Sequence, residues 1–404
     1  MKNEVLLSIL IPTYNRAPYL NNLLNYLKEE IYNLDYTYEI VVSDNASTDN
    51  SREVIESFQK DLSLDVYFQK KNLGFEGTFD FILSRARGKY FIYLADDDLL
   101  DFELLNIAIS QFEMNSNAVA LYTPWQIWDY ENDKSICLFY NAPEITIKKD
   151  SFYDLGDFIL KNKVFAEIGI FKTKAFQDIA PVFLDHLFFA FKYPSELITQ
   201  GDIIFANTPY YKTLINYNLD NDPFRSQAGF TQTKTIYYKY RNSFFHLFRL
   251  MKVDNDNDNI VFMKHLNDFY KQRLLVALDL TIRDKEFLEA FELASIIIGE
   301  FKLLEYKYDF ETIKEFAILA CIEKYILKNS LPVLIIIIDE QESAKISFIK
   351  KFFNDSPFEV LFNETNQIKE NIALYILDKN RRFDMHKLQA HKIFYEEVLA
   401  RKFS

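Results

Sequence analysis

Four times in its first hundred residues the chain runs an apolar stretch straight into a polar cluster, with helical periodicity in between. Val5–Pro12, Glu39–Ser43, Leu64–Gln69 and Tyr90–Ala95 read as strands, and the first, apolar throughout, is expected to be buried on both faces. Between them, Tyr19–Ile31 places Leu20, Leu23, Leu24, Leu27 and Ile31 at helical spacing. Thr48–Phe58 reads as a short helix capped by Thr48 or Asp49, and Gly77–Arg87 as a third helix. Alternation of this kind predicts an α/β fold: a doubly wound mixed sheet with helices on both faces and ligands at the carboxyl ends of the strands.

The polar clusters are Pro12-Thr13-Tyr14-Asn15-Arg16, Ser43-Asp44-Asn45-Ala46-Ser47-Thr48-Asp49, Lys70-Lys71-Asn72-Leu73-Gly74 and Asp96-Asp97-Asp98. In a doubly wound sheet these strand ends meet along one edge, which makes them the expected site. Three consecutive carboxylates repel one another without a counter-charge, and a hard divalent cation that keeps open positions for phosphate oxygens relieves them. The competing reading is that they cap the following helix, Leu100–Met114, although one Asp would suffice. Asp44 can accept from a nucleobase N–H or close an Asx turn. Tyr14 or Pro12 can pack on a base face, and Arg16, Lys70 or Lys71 can meet phosphate charge.

After Asp98 the alternation loosens. Ala118–Thr123 reads as a strand, Trp125–Phe139 as a polar-tipped hairpin or loop, Lys149–Lys161 and Asp185–Lys192 as helices, and Phe165–Phe171 and Ile203–Asn207 as strands. From about Thr231 to Lys328 the pattern is helical, interrupted at Asp254–Asn259 by an acidic run expected to be a solvated loop, since it lacks a calcium loop's glycine and distal glutamate. Val333–Ile338, Ser343–Phe353, Phe358–Phe362 and Ile372–Leu377, followed by a terminal helix, read as a small α/β unit. The expected domains are 1–228 (a nucleotide half, 1–105, and an acceptor half, 106–228), a helical region 229–329, and the α/β unit 330–404.

Composition narrows the partners. A formal net charge of −13 over 404 residues argues against nucleic acid, whose phosphates demand surplus Lys and Arg. Two cysteines, Cys137 and Cys321, fit neither a disulfide framework nor a zinc cluster and point to a reducing compartment. The longest apolar run, Leu331–Ile338, is far below the roughly 20 residues that span a bilayer, and the first residues lack the pattern of a signal peptide. A cytoplasmic protein is expected, with a peripheral contact at the inner face of the membrane as a further expectation.

Ile11-Pro12-Thr13-Tyr14-Asn15-Arg16, Val42 to Asp49, Asn72-Leu73-Gly74, and Gly88-Lys89-Tyr90 leading to Leu94-Ala95-Asp96-Asp97-Asp98 resemble, in order and spacing, the family-2 glycosyltransferases with the GT-A fold. The resemblance is strong over 5–105 and thinner to about 225. It implies an inverting, metal-dependent enzyme of hexosyltransferase type that takes its sugar from a nucleotide-sugar donor, a UDP-sugar by family frequency. Pro12, Thr13 and Tyr14 would line the nucleoside pocket, Asp44 would read the base, and Lys71 with Asn72 would lie near the ribose or diphosphate. Arg16, Asn45 and Asp97 complete the expected donor-binding set. Asp96 would face the ribose and the metal, and Asp98 would be the principal ligand of Mn2+ or Mg2+ within the D-x-D motif.

The family's general base lies at the start of a helix some 80 to 100 residues further on, where this chain has Asp185, preceded by Leu184 in place of a second acid. Asp185 can equally cap helix 186–192; Glu167 is the second candidate base, and His186 is a candidate metal or acceptor contact. The implied acceptor is a glycan or lipid-linked glycan of bacterial surface polysaccharide, lipooligosaccharide or capsule synthesis. The alternative function is a catalytically impaired donor-binding or scaffolding subunit of a glycan-assembly complex. Aromatic residues after 225 are expected to form a helical core, and the carboxyl-terminal region is a candidate homodimer surface.

Overall fold

The computed structural model describes residues 4–179, 186–217, 219, 234–251, 256–302, 304, 306–339, 341–364, 366, 372–377, 390 and 392–403. They divide into two compact units, Met1–Tyr270 and Lys271–Ser404.

In the first unit the apolar runs become β1 (Leu7–Thr13), β2 (Tyr38–Asp44), β3 (Leu64–Phe68) and β4 (Tyr90–Tyr93). Leu7, Ile9, Leu10 and Ile11 of β1 are fully buried, as a strand covered on both faces requires. Helix α1 (Ala17–Glu30) lays Leu20, Leu23, Leu24 and Leu27 into the core, each such burial stabilising by about 1.5–3 kcal/mol. Helices α2 (Ser51–Phe58) and α3 (Gly74–Leu83) complete the alternation. The cap position of α2 is Asn50 rather than Thr48 or Asp49, but Asp49 Oδ1 accepts from Ser51 N (3.0 Å) at the first residue of α2, while its Oδ2 accepts from Ala17 N (3.0 Å) and holds the start of α1.

The chain continues through β5 (Leu99–Leu100), α4 (Phe102–Glu113), β6 (Ala118–Tyr122), the hairpin β7 (Gln126–Asp129) and β8 (Lys134–Leu138), and β9 (Ile145–Ile147). Then come α5 (Phe152–Asn162), β10 (Gly169–Lys172), α6 (Thr173–Asp178), α7 (Phe189–Leu197), β11 (Asp202–Phe205), β12 (Tyr211–Ile215), α8 (Tyr237–Leu250) and α9 (Asp256–Arg283). Among the described residues the main sheet has eight strands in the order β3-β2-β1-β4-β10-β6-β11-β9. β3, β2, β1 and β4 are parallel; β10 lies antiparallel between β4 and β6. A smaller sheet, β5-β12-β7-β8, carries β12 beside the turn that follows β4.

Three sequence expectations fail here. The helix expected over Asp185–Lys192 begins only at Phe189, with Phe188 at its cap position, and runs to Leu197. The strand expected over Phe165–Phe171 begins only at Gly169, leaving Glu167 in the segment before it. The acidic run is helical from Asp256, with Asp258 in the first turn of α9, where a carboxylate is favoured by the helix dipole.

Gly88 shows why its motif is fixed. A Cβ there would sit 2.7 Å from both Ser8 N and Tyr90 O, so β1 and β4 approach each other only because the residue is glycine. Gly88 N donates to Ser8 Oγ (2.9 Å), whose hydroxyl donates to buried Glu39 (2.6 Å), and Arg87 closes the network on Glu39 (2.6 Å). This lock ties β1, β2 and β4 at their amino ends, opposite the polar clusters.

The second unit contains α10 (Phe287–Phe301) and α11 (Phe310–Lys328), then β13 (Val333–Ile337), α12 (Ser343–Phe352), β14 (Glu359–Phe362), β15 (Ile372–Ile376), β16 (Lys392–Tyr395) and α13 (Glu396–Lys402). Its strands are all parallel, in the order β14-β13-β15-β16. Leu334, Ile336, Ala373 and Tyr375 pack with Ile318, Ile322 and Ile349 of the helices.

Candidate active site

The sheet order sets the site, because β2, β1 and β4 are neighbours and end together. Thr13 and Asp44, the last residues of β1 and β2, are paired in register, and Leu94 N extends the β1–β4 ladder to Leu10 O (2.9 Å) just before Asp96. The chain leaves both strands through left-handed residues, Asn15 (φ 53°) and Ala46 (φ 63°). For Ala46 that conformation costs about 1–2 kcal/mol, a strain typical of functional turns. The two turns interlock: Asn15 N donates to Ser47 Oγ (2.8 Å) and Thr48 N to Asn15 Oδ1 (2.7 Å).

Asp44 is buried. Its Oδ1 accepts from Ser47 N (3.2 Å), three residues on rather than the two of an Asx turn, and so braces the loop after β2, while Oδ2 takes no hydrogen bond among the described residues. Asn45 reaches across to the loop after β3, donating to Asn72 Oδ1 (2.9 Å) and accepting from Leu73 N (2.8 Å). Asn72 Oδ1 also accepts from Gly74 N (2.7 Å), and Gly74 takes φ 72°, which suits glycine. Asn45 and Asn72 therefore fix the shape of the Asn72-Leu73-Gly74 turn. Pro12 is half-buried, Tyr14 is 42% exposed, and Lys70 and Lys71 are exposed at the rim.

The three aspartates are held by different partners. Thr13 Oγ1 donates to Asp96 Oδ2 at 2.6 Å. Arg16 pairs through Nε with Asp96 Oδ1 (3.1 Å) and through Nη2 with Asp97 Oδ2, and its guanidinium lies 4.8 Å from the Tyr19 ring centroid. Burial disfavours the Arg16 charge, but Asp96 and Asp97 outweigh it and raise the guanidinium pKa.

Asp98 turns instead to the small sheet. It accepts from Tyr211 Oη (2.9 Å) and Leu214 N (3.1 Å), and Tyr211 Oη in turn accepts from Ala95 N (3.1 Å). Burial, followed by the charge of Asp97, pushes the Asp98 carboxyl well above the usual carboxylate range despite these donors. Capping of α4 is done by none of the three, since Asp101 accepts from Leu104 N (3.1 Å) at the cap position.

Among the described residues no three His, Cys, Asp or Glu side chains form a ready-made metal cage. The donor set nonetheless suits a hard cation. Asp96 and Asp98 offer carboxylate oxygens two residues apart, and burial and the charge of Asp97 leave the Asp98 charge under-compensated. One or two carboxylates completed by substrate phosphates is how Mg2+ is commonly held.

Asp185 lies outside the described residues. His186 is exposed and offers its backbone oxygen to Asn242 Nδ2 (3.2 Å), while Glu167 is half-buried. Tyr211 and Leu214 were not singled out from sequence, since β12 is short and follows its partner Asp98 by more than a hundred residues. Phe75 was also missed: it is 52% exposed in the first turn of α3, with its ring near Tyr93 (6.2 Å) and Phe189 (5.9 Å). Its position directly after Asn72-Leu73-Gly74 is the one signal that could have marked it.

The sequence model of glycosyl transferase family 2 matches residues 8–173. Abequosyltransferase RfbV of Salmonella typhimurium is 38% identical over 117 residues, 28% of this chain and 34% of the relative. The poly(ribitol-phosphate) beta-N-acetylglucosaminyltransferase TarS of Staphylococcus aureus is 30% identical over 115 residues, 28% of this chain and 20% of the relative. The matches thus span about a third or less of these relatives. Cholesterol galactosyltransferase of Borreliella burgdorferi aligns further, over 71% of this chain and 86% of the relative, at 21% identity. The crystal structure of S. aureus TarS 1–349 in complex with UDP-GlcNAc superposes with a TM-score of 0.50, covering 78% of this chain and 84% of that one at 16% identity, a likeness of fold.

Proposed function

This chain belongs to glycosyl transferase family 2 through residues 8–173 and has the GT-A fold, and from that premise we propose that it is an inverting glycosyltransferase moving a sugar from a nucleoside-diphosphate donor to a glycan hydroxyl. The observation that carries the proposal is the convergence of Asp44, Thr13, Arg16, Asp96 and Asp97 at adjacent strand ends, with Asn45 bracing Asn72 beside them.

On this reading Asp44 Oδ2 accepts from a base N–H, while Oδ1 braces the loop after β2. Pro12, Thr13 and Tyr14 line the nucleoside, and Lys71, Asn72 and Arg16 face ribose and diphosphate. A UDP-sugar is the donor favoured here, in keeping with the UDP-GlcNAc bound to TarS. Asp98, with Asp96, would hold Mn2+ or Mg2+, and the ion would neutralise charge on the departing nucleoside diphosphate. Asp97, paired with Arg16 in the empty site, stays beside the donor.

The acceptor proton goes to a carboxylate on the opposite face of the sugar, assigned to Asp185. The acceptor assigned here is a glycan or lipid-linked glycan of a bacterial surface; the poly(ribitol-phosphate) named for TarS is a polymer acceptor that supports it, and the cholesterol named for the B. burgdorferi relative is a lipid one. None of the described helices is long and apolar enough to cross a membrane. The reading places the transfer in the cytoplasm, with a peripheral contact at the inner face of the membrane.

Asp185→Ala tests the role of the base. Transfer is expected to be lost while donor affinity, measured by calorimetry, is kept. Near-normal turnover in that variant would remove Asp185 from the mechanism.

A further inference from the structure

Two of the three clustered carboxylates are neutralised by the chain's own cation. Arg16 spans Asp96 (3.1 Å) and Asp97, so the oxygens that a divalent ion would seek beside Asp98 already have a positive partner. An arginine does not step aside by losing its proton, because a guanidinium stays protonated in proteins. An incoming cation must therefore compete with the guanidinium or wait for it to move.

The surroundings give Arg16 somewhere to go. Asp96 is fixed by the 2.6 Å bond from Thr13 and its side chain is only 8% exposed, whereas the side chain of Arg16 is 25% exposed and rests on one face of Tyr19. Its Nε pairs with Asp96 by distance but makes no aligned hydrogen bond there, which leaves that contact weaker than a bidentate fork. A diphosphate offers the planar guanidinium the two-oxygen partner it binds best. The nucleotide can thus supply to Arg16 the negative charge that a metal ion takes over.

We propose that Arg16 is a positioning residue that couples metal binding to nucleotide binding: it holds Asp96 and Asp97 in the empty protein and transfers to the diphosphate when donor and metal arrive. The inference rests on the donor-site reading above. By linkage, each ligand must then raise the other's affinity by the same factor. The chain binds metal poorly until a nucleoside diphosphate is present, so the carboxylate cluster is not occupied by stray cations.

The test uses the full chain and the tightest binder among UDP, GDP, CDP and dTDP. Free Mn2+ is followed by electron paramagnetic resonance with and without that nucleotide, and no turnover is required. In the unmodified protein Mn2+ is expected to bind at least about tenfold more tightly with nucleotide than without, within the usual range of coupled sites. In Arg16→Met, Mn2+ affinity without nucleotide rises severalfold and the enhancement by nucleotide falls by about tenfold.

A thermal melt confirms that the variant is folded, and Arg16→Gln replaces it if the melt is not cooperative. Mn2+ affinity in the nucleotide-free variant equal to or below that of the unmodified protein, where the unmodified protein does bind nucleotide, overturns this inference alone. If none of the four nucleotides binds the unmodified protein, the donor-site reading fails and this inference falls with it.

Discussion

Removing one oxygen from Tyr211 separates the small sheet's role in the site from its role in packing. In Tyr211→Phe the ring stays in its buried position, but the hydroxyl that donates to Asp98 (2.9 Å) and accepts from Ala95 N (3.1 Å) is gone. A hydrogen bond to a charged group contributes about 1.5–3 kcal/mol, and a stranded buried N–H costs about 1–3 kcal/mol. The two together come to about 2.5–6 kcal/mol, a fall in unfolding temperature on the order of 5–20 °C for a unit of this size.

The effect has a sign in pH. The Tyr211 hydrogen bond favours ionised Asp98, so its removal raises a carboxyl pKa that burial and Asp97 already hold high. A carboxyl group with a raised folded pKa binds its proton more readily folded than unfolded, so stability is lost as pH rises from the unfolded pKa through the folded one. The gap between variant and parent must therefore be widest above the raised Asp98 pKa and narrow as the solution is acidified through it. Thermal melts by circular dichroism at a series of pH values, in chelator, read both quantities.

Tyr122→Phe is the control, because Tyr122 Oη is buried without a hydrogen-bond partner among the described residues, and its loss should be neutral or stabilising. A Tyr211→Phe melt within a degree of the parent's, or a gap that does not change with pH, would refute the assigned network.

Two further outcomes follow from the same geometry. Gly88→Ala forces a methyl against backbone atoms 2.7 Å away; destabilisation of at least about 1–3 kcal/mol is expected in a urea melt, with nucleotide affinity unchanged at temperatures where the variant remains folded. Asn45→Ala removes both bonds that shape the Asn72-Leu73-Gly74 turn and should weaken nucleoside-diphosphate binding by roughly tenfold, about 1.4 kcal/mol, in calorimetry; unchanged affinity would show that the turn does not touch the donor.

The strand ends of the site were legible in sequence because they obey a local rule: a fully buried parallel strand must be apolar until it leaves the sheet, so Ile11, Val42 and Leu94 announce the polar residues that follow. The partners of those residues were not legible in the same way. Asp98 meets Tyr211 from a two-stranded contact with β5 that carries no periodicity, and capping by Asp101 rather than Asp96–Asp98 depends on where the turn after β4 ends. Phe165–Phe171 has the composition of a strand, yet only its last part pairs with β4 and β6. Asp254–Asn259 has the composition of a loop, and Asp256–Asn259 nevertheless opens a helix, because acidic residues suit a first helical turn. The short β5, β9, β12 and β16 gain their stability from neighbours remote in sequence.

The central claim, metal-assisted transfer from a nucleoside-diphosphate sugar, is tested most directly by a panel of nucleotide sugars scored for nucleoside-diphosphate release with Mn2+ and with chelator, using the unmodified chain and Asp98→Ala. The account predicts release from one donor class that requires the metal and disappears in Asp98→Ala. Release that is undiminished by chelator and retained in Asp98→Ala, or no release from any donor by a folded chain supplied with bacterial lipid-linked glycans, would contradict it.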